Sequence, residues 1–185
     1  MGHTISIGIP TLALKDRAVH IKACIESIVS QRDVVVRPVV IINGTQSDPD
    51  LRTALIADTR LRILVSNENG VGAARRLFRE SVDTPYFGFI DDDDLFLDGA
   101  MLQRLTPFLE DSTLDAVLTD GWRQQTDGTR QLTPDFLIHP DDIVLAAVSA
   151  PILSANNHLF RTDAVGSDYI EPVSYTHLTL PTNRE

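Results

Sequence analysis

The sequence predicts an α/β fold: a Rossmann-like, mostly parallel sheet flanked by helices. Three observations predict it. Short apolar, β-branched runs alternate with segments whose apolar residues recur every three or four positions. Three of those runs end in small or polar residues, Pro10-Thr11, Asn43-Gly44-Thr45 and Asp91-Asp92-Asp93-Asp94. Ligands of open α/β sheets bind at such carboxyl ends, so the three segments are expected to line one crevice. The chain has 185 residues, 43% hydrophobic and 23% charged, which suits one domain with a sizeable core.

Ile5 to Ile9 is an apolar run closed by Pro10 and reads as a buried strand. Asp16 to Ser30 follows as a helix, with Ala18, Ile21, Ile25 and Ile28 on one face. Cys24, on the same helix, reads as a small core residue. Val34 to Ile42 is the second strand, and Pro38 is expected at its start, where a missing N–H does least harm. Asp48 or Asp50 can cap a helix running to about Ala57. Arg62 to Val65 is a third strand, Gly70 to Ser81 a helix and Tyr86 to Ile90 a fourth strand. Asp98 is expected to cap a helix through about Leu109, and Ala116 to Thr119 is a fifth strand. Beyond Asp120 the alternation weakens. Asp127-Gly128 marks a hairpin turn, Pro140 to Val148 a helix and His158 to Arg161 a last strand. Trp122 reads as a core residue, with a sugar-stacking floor as the alternative, and His158 as a surface or satisfied core histidine rather than a ligand. Residues 173–185 lack periodicity and read as a tail foreign to the natural protein, so the domain is expected over 4–166.

Charge and motifs narrow the function. The formal charge of -10 argues against a nucleic-acid partner. No run of 18 apolar residues spans a membrane, and Met1 to Pro10 carries no secretory pattern. A single cysteine forms no internal disulfide, which suits the cytoplasm.

The Asp91–Asp94 run is the strongest chemical signal. Adjacent carboxylates repel, and no lysine or arginine nearby in sequence neutralises them. A divalent cation would, because hard cations take carboxylate oxygens. A solvated acidic turn stands beside that reading. A calcium hand does not fit, since Leu95 and Phe96 occupy its fifth and sixth positions.

Asn69-Gly70-Val71-Gly72-Ala73-Ala74-Arg75-Arg76 opens a helix with small residues, which suits a phosphate at the helix N-terminus; ordinary helix packing is the competing reading. Arg75 replaces the third glycine of a dinucleotide fingerprint, and there is no P-loop.

Five segments in order resemble the family 2 glycosyltransferases of the GT-A fold. They are Ile7-Gly8-Ile9-Pro10-Thr11, Ile25 to Gln31, Val40 to Thr45, Glu68 to Arg75 and Phe89 to Leu95. The resemblance covers residues 4 to about 165. It implies a metal-dependent, inverting sugar transfer from a nucleotide-diphosphate sugar to a sugar, lipid or polysaccharide acceptor. Asp91-Asp92-Asp93 matches the Asp-x-Asp motif, which in the family binds the ribose and a metal on the donor diphosphate and implies nucleotide-sugar contacts from Asp91 and Asp92. It also implies Mn²⁺ or Mg²⁺ on Asp93, with Asp91. Pro10, Thr11, Gly70 and Arg75 match the family's nucleotide-site segments. Asn43 stands where the family usually has an Asp facing the base, and Leu12-Ala13 where it usually has Tyr-Asn. The family often works at the inner membrane face. Its general base lies on a later segment, which the sequence after Gly166 does not match, so slow turnover is expected; Asp163, Asp168 and Glu171 are nearby acids, none of them assigned the role. A nucleotidyltransferase and a non-catalytic nucleotide- or metal-binding module remain alternatives.

Overall fold

The computed structural model describes residues 3–68, 70–119, 121–133 and 158–167. The strands are β1 (Thr4–Thr11), β2 (Val35–Asn43), β3 (Arg62–Ser66), β4 (Tyr86–Phe89), β5 (Ala116–Leu118), β6 (Gly121–Gln124), β7 (Arg130–Thr133) and β8 (His158–Arg161). The helices are α1 (Ala18–Val29), α2 (Pro49–Ala57), α3 (Val71–Ser81) and α4 (Ala100–Glu110). Six strands form one sheet in the order β3-β2-β1-β4-β8-β5, and β6 and β7 form a separate ribbon. The first four are mutually parallel, while β8 runs antiparallel to both neighbours.

Alternation along the strands builds a core on each face. Ile5, Ile7 and Ile9 of β1 join Val40 and Ile42 of β2, and α1 adds Ile21, Cys24, Ile25 and Ile28. On the other face Val39 and Ile41 pack with Ala74 and Phe78 of α3 and with Phe87, Phe89 and Phe160. Gly8 lies beneath the Phe78 ring; a Cβ there would come within 2.8 Å of it. Only a residue without a side chain lets α3 approach that closely.

Several expectations are corrected. The first helix starts at Ala18, after a 3-10 turn at Lys15–Arg17. Pro38 is the fourth residue of β2, but pairing with β3 starts only at Val39, so β2 is there paired with β1 alone. Asp98 does not cap α4; Gly99 does, at φ 76, without a side-chain bond. Asp48 caps α2 by accepting the Leu51 N–H at 2.9 Å. Trp122 is 55% exposed, because its strand belongs to the separate ribbon. The Asp127-Gly128 turn joins β6 to β7, and His158 is buried and stacked on Phe160. The helix expected over 140–148 and the tail over 173–185 lie outside the described residues.

Candidate functional site

Parallel pairing brings the carboxyl ends of β1, β2 and β4 to one edge of the sheet. Thr11 pairs with Ile42, which leaves Asn43 one step further on, and Gly8 pairs with Phe89. The chain leaving β4 therefore turns at the level of Pro10 and Thr11. The Asp94 N–H donates to the Asp91 carbonyl at 3.0 Å, closing a turn with Asp92 and Asp93 at its centre.

That turn gives its carboxylates unequal surroundings. Asp92 points inward and is 6% exposed. The Thr11 hydroxyl donates to its Oδ2 at 2.5 Å, and Arg17 donates to its Oδ1. Thr11 Oγ1 also accepts the Ala13 N–H at 2.9 Å, with Ala13 in the left-handed region at φ 49. Asn tolerates that conformation better than Ala. Asp93 points outward, its side chain 48% exposed, with Arg17 Nη2 at 3.1 Å. Asp91 is similarly exposed and faces Arg75 Nη2 at 3.4 Å.

The run that lacks basic residues nearby in sequence is thus flanked in space by Arg17 and Arg75. The hydrogen bond to Asp92, partly offset by desolvation, and the field of Asp93 hold the Arg17 guanidinium above its ordinary pKa. Arg17 was not singled out from the sequence, being 75 residues from Asp92. The acidic run itself, needing a cation from somewhere, was the available signal.

The remaining predicted residues differ in their surroundings. Asn43 is 5% exposed, and its Oδ1 has no hydrogen-bond partner among the described residues. Gly70 precedes α3 at φ 116, with nothing within 4 Å of where a Cβ would stand. Arg75, one turn into α3, lies over the Phe89 ring at 5.6 Å. Arg76 pairs instead with Glu68 at 3.2 Å. Beneath the turn, the Cys24 thiol points to the Asp91 carbonyl at 3.6 Å; burial, with the field of the four aspartates, pushes its pKa up to about 12. Asp163 is exposed beyond β8, whereas Asp168 and Glu171 lie outside the described residues.

Among the described residues no three His, Cys, Asp or Glu side chains converge on one point as a metal set. The exposed oxygens of Asp91 and Asp93 suit a different arrangement. One or two carboxylates hold Mg²⁺ or Mn²⁺ while substrate phosphates and water complete the shell. A cleft of about 540 Å³ opens elsewhere, lined by Ser6, Arg37, Pro38 and Arg62 among others. It lies toward the opposite end of the strands, away from the acidic turn, and none of the sequence-predicted site residues lines it.

The fold matches that of GT-A glycosyltransferase structures, and 217 solved chains match this one. The chain belongs to glycosyl transferase family 2, whose model matches residues 6–166. It is 31% identical over 122 residues to EpsJ, an uncharacterized glycosyltransferase of Bacillus subtilis (strain 168), covering 63% of this chain and 34% of EpsJ. Among solved structures, S. aureus TarS 1–349 in complex with UDP-GlcNAc matches with a TM-score of 0.63 at 16% identity, over 86% of this chain and 45% of that one. Glucosyl-3-phosphoglycerate synthase from Mycobacterium tuberculosis in complex with UDP matches with a TM-score of 0.58 at 18% identity, over 91% of this chain and 63% of that one. The chain thus spans about a third of its curated relative and about half of TarS 1–349. Among the described residues no helix is long and apolar enough to cross a membrane.

Proposed function

We propose that this chain binds a nucleotide-diphosphate sugar and forms the donor side of a glycosyltransferase. The sugar would pass with inversion to a hydroxyl of a sugar, lipid or polysaccharide acceptor. One observation carries this reading. In a family 2 chain, a single sheet edge gathers Thr11, Asn43 and the Asp91–Asp93 turn, with Arg75 beside it. The UDP and UDP-GlcNAc held by structural relatives support the same donor class.

Each residue then has a task. Pro10 and Thr11 line the nucleotide crevice, and Thr11 with Arg17 fixes Asp92. Asn43, with its unpartnered Oδ1, faces the base and can accept a hydrogen bond from a ring N–H. Asp91, half-exposed, faces the ribose, while Asp92 holds the turn from within. Gly70 leaves the start of α3 open to the diphosphate, and Arg75 adds charge-assisted donors. Asp93, with Asp91, would hold Mn²⁺ or Mg²⁺, which neutralises charge developing on the departing diphosphate. A carboxylate must accept the acceptor's proton, and no acid in this chain is assigned that role. Family membership favours sugar transfer over nucleotidyl transfer. A non-catalytic nucleotide-binding role predicts the same binding and is separated from it by turnover. The buried reduced Cys24 fits a cytoplasmic setting, with a membrane-borne acceptor met at the inner face.

Calorimetric titration with UDP tests the reading. Binding in MnCl₂ that disappears in EDTA supports it. Equal affinity in both would remove the metal, and no binding to UDP, GDP or ADP in either would remove the donor site.

A further inference from the structure

Arg17 joins two carboxylates of unequal standing. Its Nη2 contacts Asp92 Oδ1 and lies 3.1 Å from Asp93 Oδ2. Asp92 is nine-tenths buried and has a second partner in Thr11. Asp93 is half exposed, and among the described residues its ion pair is with Arg17. One guanidinium thus has a fixed anchor on one side and a replaceable contact on the other. An exposed ion pair is weak and screened, so its loss costs little. A divalent ion brings twice the charge and coordinates the same oxygen directly.

We propose that Arg17 is a built-in counter-cation of the acidic turn, holding Asp93 while the donor is absent and yielding it to the divalent cation. This rests on the reading that Asp93 takes a metal. Arg17 keeps the turn formed in the free protein, where four adjacent carboxylates would otherwise repel. It stays on Asp92 when Asp93 is surrendered, so the turn does not have to refold around the ion. The same positive charge opposes the metal, so the site holds the ion weakly until the donor's phosphates add their own.

The test is calorimetric titration of metal-free protein with MnCl₂ alone, comparing wild type, Arg17→Gln, Arg17→Lys and Asp93→Asn. Arg17→Gln keeps donors for Asp92 and removes the charge. It should bind Mn²⁺ about tenfold tighter or more, the size of effect one neighbouring charge has on a carboxylate. Arg17→Lys should stay near wild type, and Asp93→Asn should abolish binding. Equal or weaker Mn²⁺ binding by Arg17→Gln, with Asp93→Asn binding none, overturns the role of Arg17 and leaves the metal site standing. No Mn²⁺ binding in any variant, with or without UDP, overturns both. Should Arg17→Gln fail to fold, the Arg17 Nε–H resonance of the wild-type protein decides. It should shift on saturation with MgCl₂, and an unmoved resonance in the Mg²⁺-bound protein overturns the proposal.

Discussion

Replacing Thr11 by Val tests whether the end of β1 holds the acidic turn in place. Valine has the same shape, so no cavity forms, and only the hydroxyl's two bonds are lost. One is the 2.5 Å donation to Asp92, where a bond to an ionised group contributes about 1.5–3 kcal/mol. The other is the 2.9 Å bond from the Ala13 N–H, a donor on a residue with no exposed surface. Left unpaired, such a group costs about 1–3 kcal/mol. Arg17 remains on Asp92 and limits the first loss. The expected destabilisation is about 3 kcal/mol, or roughly 6–12 °C in Tm for a chain of this size. Thr11→Ser keeps both bonds and gives up one methyl, for about 1 kcal/mol. Thermal melts followed by circular dichroism, with urea titrations for the free energies, measure the pair. If the valine variant is as stable as the serine variant, the hydroxyl does not anchor Asp92 and the account of the turn is wrong.

Other expected outcomes follow from the packing and from the buried thiol. A Cβ on Gly88 would lie 2.8 Å from the His158 carbonyl oxygen, so Gly88→Ala must push β8 off β4. A Cβ on Gly8 meets the Phe78 ring, itself set against Phe87 and Phe89. Gly8→Ala should cost about 1–3 kcal/mol and Gly88→Ala more, since a strand yields less readily than a side chain; urea midpoints near wild type would contradict both. Cys24, with its pKa pushed from 9.0 to about 12, should react with iodoacetamide at pH 8 about a thousandfold more slowly than an exposed thiol. Its folded pKa is raised, so the fold binds a proton that the unfolded chain releases. That contribution is complete below about pH 9 and is lost as pH rises toward about 12. Urea midpoints should therefore fall with pH above 9 in the wild type more steeply than in Cys24→Ala, and parallel curves would refute the assignment.

The parts of the fold governed by local pattern were legible in the sequence. Apolar, β-branched runs mark β1 and β2, three-and-four spacing marks α1, and Asp48, one of two candidate caps, marks the start of α2. What escaped depends on contacts distant in sequence. β8 inserts between β4 and β5 and reverses the sheet's direction there, which nothing in its four residues announces. Trp122 looks like a core residue by type, but pairing of β6 with β7 alone leaves it outside the main sheet. The cap at Gly99 rather than Asp98 reflects a left-handed backbone that capping preferences do not register. At the site, Pro10, Thr11, Asn43 and the aspartates could be read because strand ends converge by topology. Arg17 could not, because a 3-10 turn aims it at carboxylates 75 and 76 residues further on.

Anomalous diffraction from crystals soaked with MnCl₂ and UDP tests the central claim most directly. The account predicts one manganese peak bonded to an Asp93 oxygen, with the diphosphate on its far side and the base beside Asn43. Arg17 should then have left Asp93 while still holding Asp92. Nucleotide lodged in the cleft at Ser6, Arg37 and Arg62, or a manganese peak remote from the Asp91–Asp93 turn, would contradict it.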